Sequence, residues 1–339
     1  MVRIGLVGIG FMGWIHYLGY RHVRDAQLVA LCSKDPKKRA GDWTGIRGNF
    51  GPPGEQVDLS GVRTYETLDE MLADPNIDMV DICNPTGSHP ETAIKAMQAG
   101  KHVLVEKAIA LTAEDADRML AVAKETGKLL MVAHVLPFMP EFRFAAEAVQ
   151  DGRYGKLLAG HFTRVISKPD WSADIADAGQ TGGPAIDLHI HDTHFIGLLC
   201  GKPTSVQATG VVENGLVVHL TTAYNFGGNG PAITCTSGWL CQGGRPFVHG
   251  FELFFEQATL KFDSECCPLK LITSKGAETV TLAVSDDPSF AFGQEVQMAV
   301  AGIQQNQTPH WLSGQLARDA LVMCYRECDS VLQKKEITL

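Results

Sequence analysis

No stretch of this 339-residue chain carries about 18 consecutive apolar residues, the length a helix needs to cross a bilayer, so no membrane span is expected. Positive charge is not in excess either: 29 Lys and Arg stand against 38 Asp and Glu, for a formal net charge of -9. That balance argues against nucleic acid as the main partner and favours a soluble cytoplasmic enzyme. The chain runs straight into a strand pattern, Val2 to Val7, without a signal-peptide profile. The nine cysteines are odd in number and scattered. Neither Cys266-Cys267 nor Cys324-x-x-x-Cys328 has zinc-ribbon or C-x-x-C spacing. Reduced, mostly buried cysteines acting as small hydrophobes are expected.

What is present suits a soluble enzyme of two domains: 45% of residues are hydrophobic and 20% charged. An apolar run from Arg3 to Val7 leads into Gly8-Ile9-Gly10-Phe11-Met12-Gly13 and then a helical pattern to about Val23. Strand, G-x-G-x-x-G and helix in that order are the parts of a dinucleotide site. Gly8 serves the tight turn, Gly10 the approach of a pyrophosphate to the backbone, and Gly13 the close packing of the helix.

The second strand, Leu28 to Cys32, lacks the carboxylate that would accept hydrogen bonds from an NAD ribose. Ser33-Lys34-Asp35-Pro36-Lys37-Lys38-Arg39 follows instead. A neutral hydroxyl with Lys34, Lys38 or Arg39 suits a 2′-phosphate, so NADP is expected over NAD. Asp35 is the residue that could reverse this.

Residues 44–61 are rich in Gly, Pro and polar residues without periodicity, and read as a long loop, a functional flap or a partly mobile one. A short strand is expected at Val62 to Tyr65 and a helix from Glu66 to Ala73. A buried strand, Ile77 to Cys83, then ends in Asn84-Pro85-Thr86-Gly87-Ser88-His89 before a helix from Pro90 to Ala99. Asn84, Pro85, Thr86 and His89 could line the cofactor at this second corner, or serve as turn and cap groups. The next strand, Val103-Leu104-Val105, ends in Glu106-Lys107-Ala108. A lysine there stands where open parallel sheets place their ligands, outside the carboxyl ends of the strands. A capped helix from Thr112 and a strand from Leu129 to His134 complete a right-handed parallel sheet.

The pattern then changes to strand after strand: Leu157–Ser167, Thr204–Val212, Leu216–Asn225, Ala232–Leu240, Phe247–Phe255, Thr259–Phe262, Lys270–Thr273 and Thr279–Leu282. Hairpin signals such as Asn214-Gly215 separate several of them. The expected fold is an α/β Rossmann domain with a parallel sheet (1–134), followed by an α+β domain with a large open, mostly antiparallel sheet (135–339). The second domain would bind substrate and assemble the chain as a homodimer or homotetramer through that sheet. Two helices, 290–306 and 313–332, close it.

Within the second domain, Gly182-Gly183-Pro184-Ala185-Ile186-Asp187-Leu188-His189-Ile190-His191-Asp192-Thr193-His194-Phe195 reads as a helix entered through Gly-Gly-Pro. Asp187 and His191, four apart, would share a face that His194 rejoins, with His189 elsewhere. Three uses stay open: an acid–base pair, a metal site of Asp187, His191 and His194, or packing and capping groups.

Taken together, the glycine loop, Asn84-Pro-Thr-x-x-His89, Glu106-Lys107, Gly182-Gly183-x-x-x-Asp187-x-x-x-His191-x-x-x-Phe195 and Ser313-Gly314…Ala317-x-x-Ala320 resemble the glucose–fructose oxidoreductase / inositol dehydrogenase / rhizopine catabolism family over essentially the whole length. The resemblance implies a Rossmann domain followed by an open-sheet domain, and hydride transfer between NAD or NADP and a sugar, polyol or inositol-like hydroxyl or ketone. It implies that Lys107 sits by the nicotinamide and the reacting oxygen, that His191 is the acid/base, and that Asp187 is its positioning carboxylate. Glu106 joins the cofactor set. Ala108 departs from the family's Glu-Lys-Pro motif, which touches the aim of Lys107 rather than its chemistry. No metal is expected on this reading. Trp171 is a candidate sugar-packing residue. Two further classes are an NAD-dependent glycoside-cleaving enzyme, without net redox, and a cofactor-sensing regulator on the same fold.

Overall fold

A computed structural model describes residues 1–168, 181–283 and 285–339. The chain divides into two compact units. One holds Met1–Phe138 and Ser285–Arg318; the other holds the chain from Met139 and then Asp319–Leu339.

The first unit is built on β1 (Val2–Val7), α1 (Phe11–Gly19), β2 (Ala26–Cys32), α2 (Pro36–Arg39), β3 (Arg63–Tyr65), α3 (Leu68–Leu72), β4 (Met79–Ile82), α4 (His89–Gln98), β5 (His102–Glu106), α5 (Ala113–Thr126) and β6 (Leu130–Ala133). Its sheet runs β3-β2-β1-β4-β5-β6, every pair parallel. The order reverses between β1 and β4, which opens the crevice where doubly wound sheets bind nucleotides. Sheets covered on both faces call for continuous apolar strands, and Val103, Leu104 and Val105 are all fully buried. The helices begin as their caps dictate. Thr67 and Glu70 form a reciprocal capping box at α3, and the Thr112 hydroxyl accepts the Asp115 N–H at α5. Gly127 ends α5 in the left-handed region at φ 66°.

The second unit contains α6 (Pro140–Asp151), β7 (Leu157–Ser167), α7 (Pro184–Asp187), α8 (Ile190–Cys200), β8 (Ser205–Glu213), β9 (Leu216–Asn225), β10 (Ala232–Cys241), β11 (Val248–Phe255), β12 (Thr259–Asp263), β13 (Cys267–Thr273) and β14 (Gly276–Thr279). After these come α9 (Phe290–Gln305), α10 (Gly314–Gln333) and β15 (Ile337–Thr338). The nine-stranded sheet runs β14-β13-β12-β11-β7-β10-β9-β8-β15, antiparallel except where β7 meets β10. Its core is aromatic: the Phe142 ring lies edge-on to Phe195 at 5.2 Å and to Phe251 at 5.1 Å.

Four expectations change. The first unit takes in α9, which was expected in the second domain. Gly19 in α1 and Gly293 in α9 meet so closely that a Cβ on Gly293 would lie 2.6 Å from the Gly19 carbonyl oxygen, so the helices dock backbone to backbone. The loop at 44–61 keeps most of its residues exposed but is pinned at a few points rather than free along its length. Trp43 beside it is fully buried, Pro52 accepts the Trp14 indole N–H at 2.9 Å, and the Phe50 ring stacks on Phe292 at 5.7 Å. The strand expected at Thr279–Leu282 lies earlier, at Gly276–Thr279, because β13 and β14 pair through a tight turn with Thr273 opposite Gly276. The helix expected through 184–195 is broken. α7 stops at Asp187 and α8 starts at Ile190, with the His189 N–H bonded five residues back to the Pro184 carbonyl. Asp187 and His191 therefore do not share one uninterrupted helical face.

All nine cysteines are free thiols. Four are buried, four are half-buried and Cys266 is exposed, so burial is less general than expected. Burial pushes the Cys200 and Cys328 thiols up to about 12, which leaves them unreactive.

Candidate active site

The glycine loop forms the mouth of β1. Gly8 has φ 91°, and a Cβ there would stand 2.5 Å from the Asn84 backbone nitrogen. A Cβ on Gly13 would lie 2.1 Å from the Gly8 carbonyl oxygen. Gly10, by contrast, faces open space, with no atom within 4 Å of the Cβ position. Two glycines are thus required for packing and the middle one leaves room for a ligand. The N-terminal N–H groups of α1 begin there, at Phe11 and Met12, without a capping side chain. Ile9 is buried and anchors the loop from below, while Lys38 donates to its carbonyl at 2.5 Å. A cavity of about 430 Å³ opens beside Gly10 and Phe11, lined also by Asp35, Lys37 and Arg47.

Around that cavity the residues after β2 divide. The Ser33 hydroxyl accepts the Asp35 N–H, and the Asp35 carboxylate caps α2 at the Lys37 N–H. Lys34 is exposed. Arg39 is committed elsewhere: it donates to the Ser33 and Lys34 carbonyls and pairs with Glu66 at 3.0 Å. At the second corner, Pro85 is exposed and Thr86 half-buried. Asn84 donates to the Thr92 hydroxyl, and its side-chain carbonyl oxygen is buried without a hydrogen-bond partner. That orphaned acceptor, the open face of Gly10 and the uncapped helix start fit a dinucleotide. His89 is 1% exposed, its two ring nitrogens each 2.8 Å from a carbonyl, of Ala108 and Asn84. Burial lowers its pKa more than those carbonyls raise it, so the neutral ring donates to one of them and ties the corner to the end of β5.

Lys107 is half-buried between two buried neighbours, Glu106 and Ala108, and the Lys107–Ala108 peptide is cis. Glu106 turns inward. One carboxylate oxygen accepts the Lys107 N–H at 3.0 Å and the other pairs with His16 Nε2 at 2.9 Å. His16 Nδ1 meets Asp81 at 2.9 Å, and Asp81 also accepts from the Tyr20 hydroxyl at 2.7 Å. Glu295, on α9, is fully buried nearby with neither carboxylate oxygen hydrogen-bonded. His16, Asp81 and Cys83 put ligand atoms within 4.8 Å of one another, the one such group among the described residues. The His16–Asp81 separation is that of a hydrogen bond.

In the second unit, Asp187 and His191 are half-buried, whereas His189, Asp192 and His194 are fully buried. Exposure thus separates the pair expected to meet a substrate from its neighbours. His189 pairs with Glu327 and lies 3.4 Å from the Tyr224 hydroxyl. Burial opposes its charge, yet Glu327 holds its pKa above the ordinary value. Asp192 pairs with Arg164 at 2.5 Å, and the guanidinium lies over the Phe247 ring. Trp171 lies outside the described residues.

The buried partners were missed, though a signal existed. Asp81 interrupts the apolar run Met79–Cys83, and a charge inside a covered strand demands a partner; Arg164 and Glu295 have polar neighbours in sequence and carry a weaker signal. What the sequence could not supply was the partner's identity, since Glu327 lies 138 residues from His189.

A parallel sheet of order 3-2-1-4-5-6 with an open glycine loop at its switch point defines a dinucleotide-binding fold. The chain belongs to the Gfo/Idh/MocA oxidoreductase family. Residues 2–134 match its NAD-binding Rossmann fold and residues 142–261 its C-terminal domain. It is 32% identical over 212 residues to inositol 2-dehydrogenase of Rhizobium meliloti (strain 1021), covering 62% of this chain and 59% of that one. It is 28% identical over 203 residues to myo-inositol 2-dehydrogenase of Thermotoga maritima, covering 59% and 55%. These matches thus span less than two thirds of the relatives' own lengths. A levoglucosan dehydrogenase structure, in complex with NADH and levoglucosan, shares the fold with a TM-score of 0.85 at 19% identity over 99% of each chain. Among the described residues, no helix is long and apolar enough to cross a membrane.

Proposed function

We propose that this chain is a nicotinamide-dependent oxidoreductase exchanging a hydride with a secondary hydroxyl or ketone of a sugar, polyol or inositol-like substrate. The observation that carries the reading is Lys107: a half-buried lysine at the carboxyl end of β5, in the same sheet as the open glycine loop. Family membership and the named dehydrogenases among its relatives support it.

Gly8 to Gly13, Asn84, Pro85 and Thr86 would hold the dinucleotide, with Ser33 and Lys34 at its ribose. When bound, it supplies the hydride acceptor or donor. NADP is the proposed form, on the neutral Ser33 and exposed Lys34; Arg39 is dropped from that set because its donors serve carbonyls and Glu66. His191 takes the hydroxyl proton in the oxidative direction, Lys107 stabilises the negative charge developing on oxygen, and Asp187 positions the imidazole. Ketone reduction uses the same groups in reverse.

The test is a panel of polyols, aldoses and keto-sugars offered with NAD and NADP in parallel, alongside direct measurement of cofactor binding. Reduced cofactor should form with at least one polyhydroxylated substrate. Failure to bind either cofactor would sink the reading.

A further inference from the structure

We propose that His16 is a positioning residue for Lys107: clamped between Asp81 and Glu106, it fixes the rotamer in which the Glu106 carboxylate accepts the Lys107 backbone N–H. The glycine-loop helix and the reactive end of β5 are thereby held as one body. The inference rests on the catalytic reading of Lys107 given above.

The geometry is complete within the first unit. His16 lies in the second turn of α1, five residues from the start of that helix at Phe11. Its ring reaches β4 through Asp81 and β5 through Glu106, each at 2.9 Å, with no exposure of its own. Two carboxylates on opposite edges of one imidazole are both satisfied only when both nitrogens carry protons. The ring therefore acts as a charged bracket, not a neutral spacer. The groups facing it are Asp81 and Cys83 from β4 and its end, Tyr20 through Asp81, Glu106 from β5, and Glu295 with the Phe292 ring from α9. Burial opposes the charge on His16, but Asp81 and Cys83 outweigh it and hold its pKa well above the ordinary value. Burial, then Glu106, pushes Glu295 well up, which keeps a third negative charge off the bracket.

Glu106 is the transmitting element. One oxygen faces His16 and the other the N–H of the next residue, so rotation of the carboxylate breaks both contacts together. The lysine ammonium extends from a backbone whose N–H is thus fixed from the side of α1. A cofactor seated on the N-terminus of α1 would meet a Lys107 already aimed.

The experiment uses the full chain with His16→Gln and, since that variant could fail to fold, Glu106→Gln as the second. Glu106→Gln keeps an oxygen for the Lys107 N–H but removes the charge facing His16. In the protein without cofactor, amide hydrogen exchange at Lys107 should quicken in both variants, while β1 and β6 stay protected. With cofactor and substrate, kcat should fall about tenfold, the scale of one lost charge-assisted hydrogen bond. Cofactor Kd should hold in His16→Gln. Combined with Lys107→Ala, either substitution should add no further loss, because the group being positioned is gone. Unchanged exchange at Lys107, or losses that multiply in the double variant, would overturn the proposal. Lys107→Ala with full turnover would instead refute the catalytic reading of Lys107, and exchange at its amide would still decide the positioning claim.

Discussion

Replacing Glu295 by Gln should make the first unit more stable above mildly acidic pH, and increasingly so as pH rises. Glu295 is fully buried on α9 with neither oxygen hydrogen-bonded. Burial first, and the Glu106 carboxylate second, lift its pKa well above the ordinary 4.5. In the unfolded chain it ionises near that ordinary value. The folded state therefore binds one more proton across the interval between the two. A raised folded pKa gives stability that is whole below the unfolded pKa and is lost as pH climbs towards the folded one. Each pH unit in that window removes about 1.4 kcal/mol. Glutamine has no proton to lose, so the stability curves of variant and wild type should diverge at that rate from about pH 4.5 and run parallel above the folded pKa. His16, also raised, contributes a second decline with the same sign, beginning at its ordinary value of 6.5 and present in both proteins. Denaturant unfolding from pH 4.5 to 8, read through hydrogen exchange in β1, β4 and β5, separates this unit from the other. Parallel curves across the whole range, or a variant that loses stability with pH as fast as the wild type, would refute the reasoning.

Three further substitutions probe the proposed chemistry and packing. His191→Ala should lower turnover roughly 10²–10⁴-fold, about 3–5 kcal/mol of barrier, with cofactor binding intact; equal turnover removes His191 from the mechanism. Ser33→Asp should weaken NADP binding at least tenfold, about 1.4 kcal/mol or more, while sparing or improving NAD, measured as paired dissociation constants. Asp192→Ala leaves the Arg164 guanidinium, only 6% exposed, without its carboxylate. It should destabilise the second unit by about 3–5 kcal/mol in denaturant titrations, and an unchanged midpoint would mean the pair contributes nothing.

The order of elements was legible because each sheet has its own signature. Continuous apolar strands between helices marked the parallel one, and closely spaced strands with Asn-Gly and Gly-Gly turns the antiparallel one. Gly8 and Gly13 could be read because each answers a local backbone need. Three things were not legible, for a common reason: they depend on contacts distant in sequence. The fixed points of the 44–61 loop follow no period: Ile46 and Val57 are buried, Trp43 just before it meets Trp14 of α1, and Phe50 stacks on Phe292 of α9. The break at Leu188–His189 follows no Gly or Pro; it accompanies the burial of His189 against Glu327. Glu106 was placed in the cofactor set, yet its carboxylate turns to His16, ninety residues away.

The most direct test of the account is turnover by Lys107→Ala beside the wild type, with the best substrate of the panel and cofactor binding measured on the same preparations. Reduced nicotinamide should form at least 100-fold more slowly in the variant, about 2.7 kcal/mol of lost transition-state stabilisation, at an unchanged cofactor Kd. Equal rates in the two proteins would contradict it.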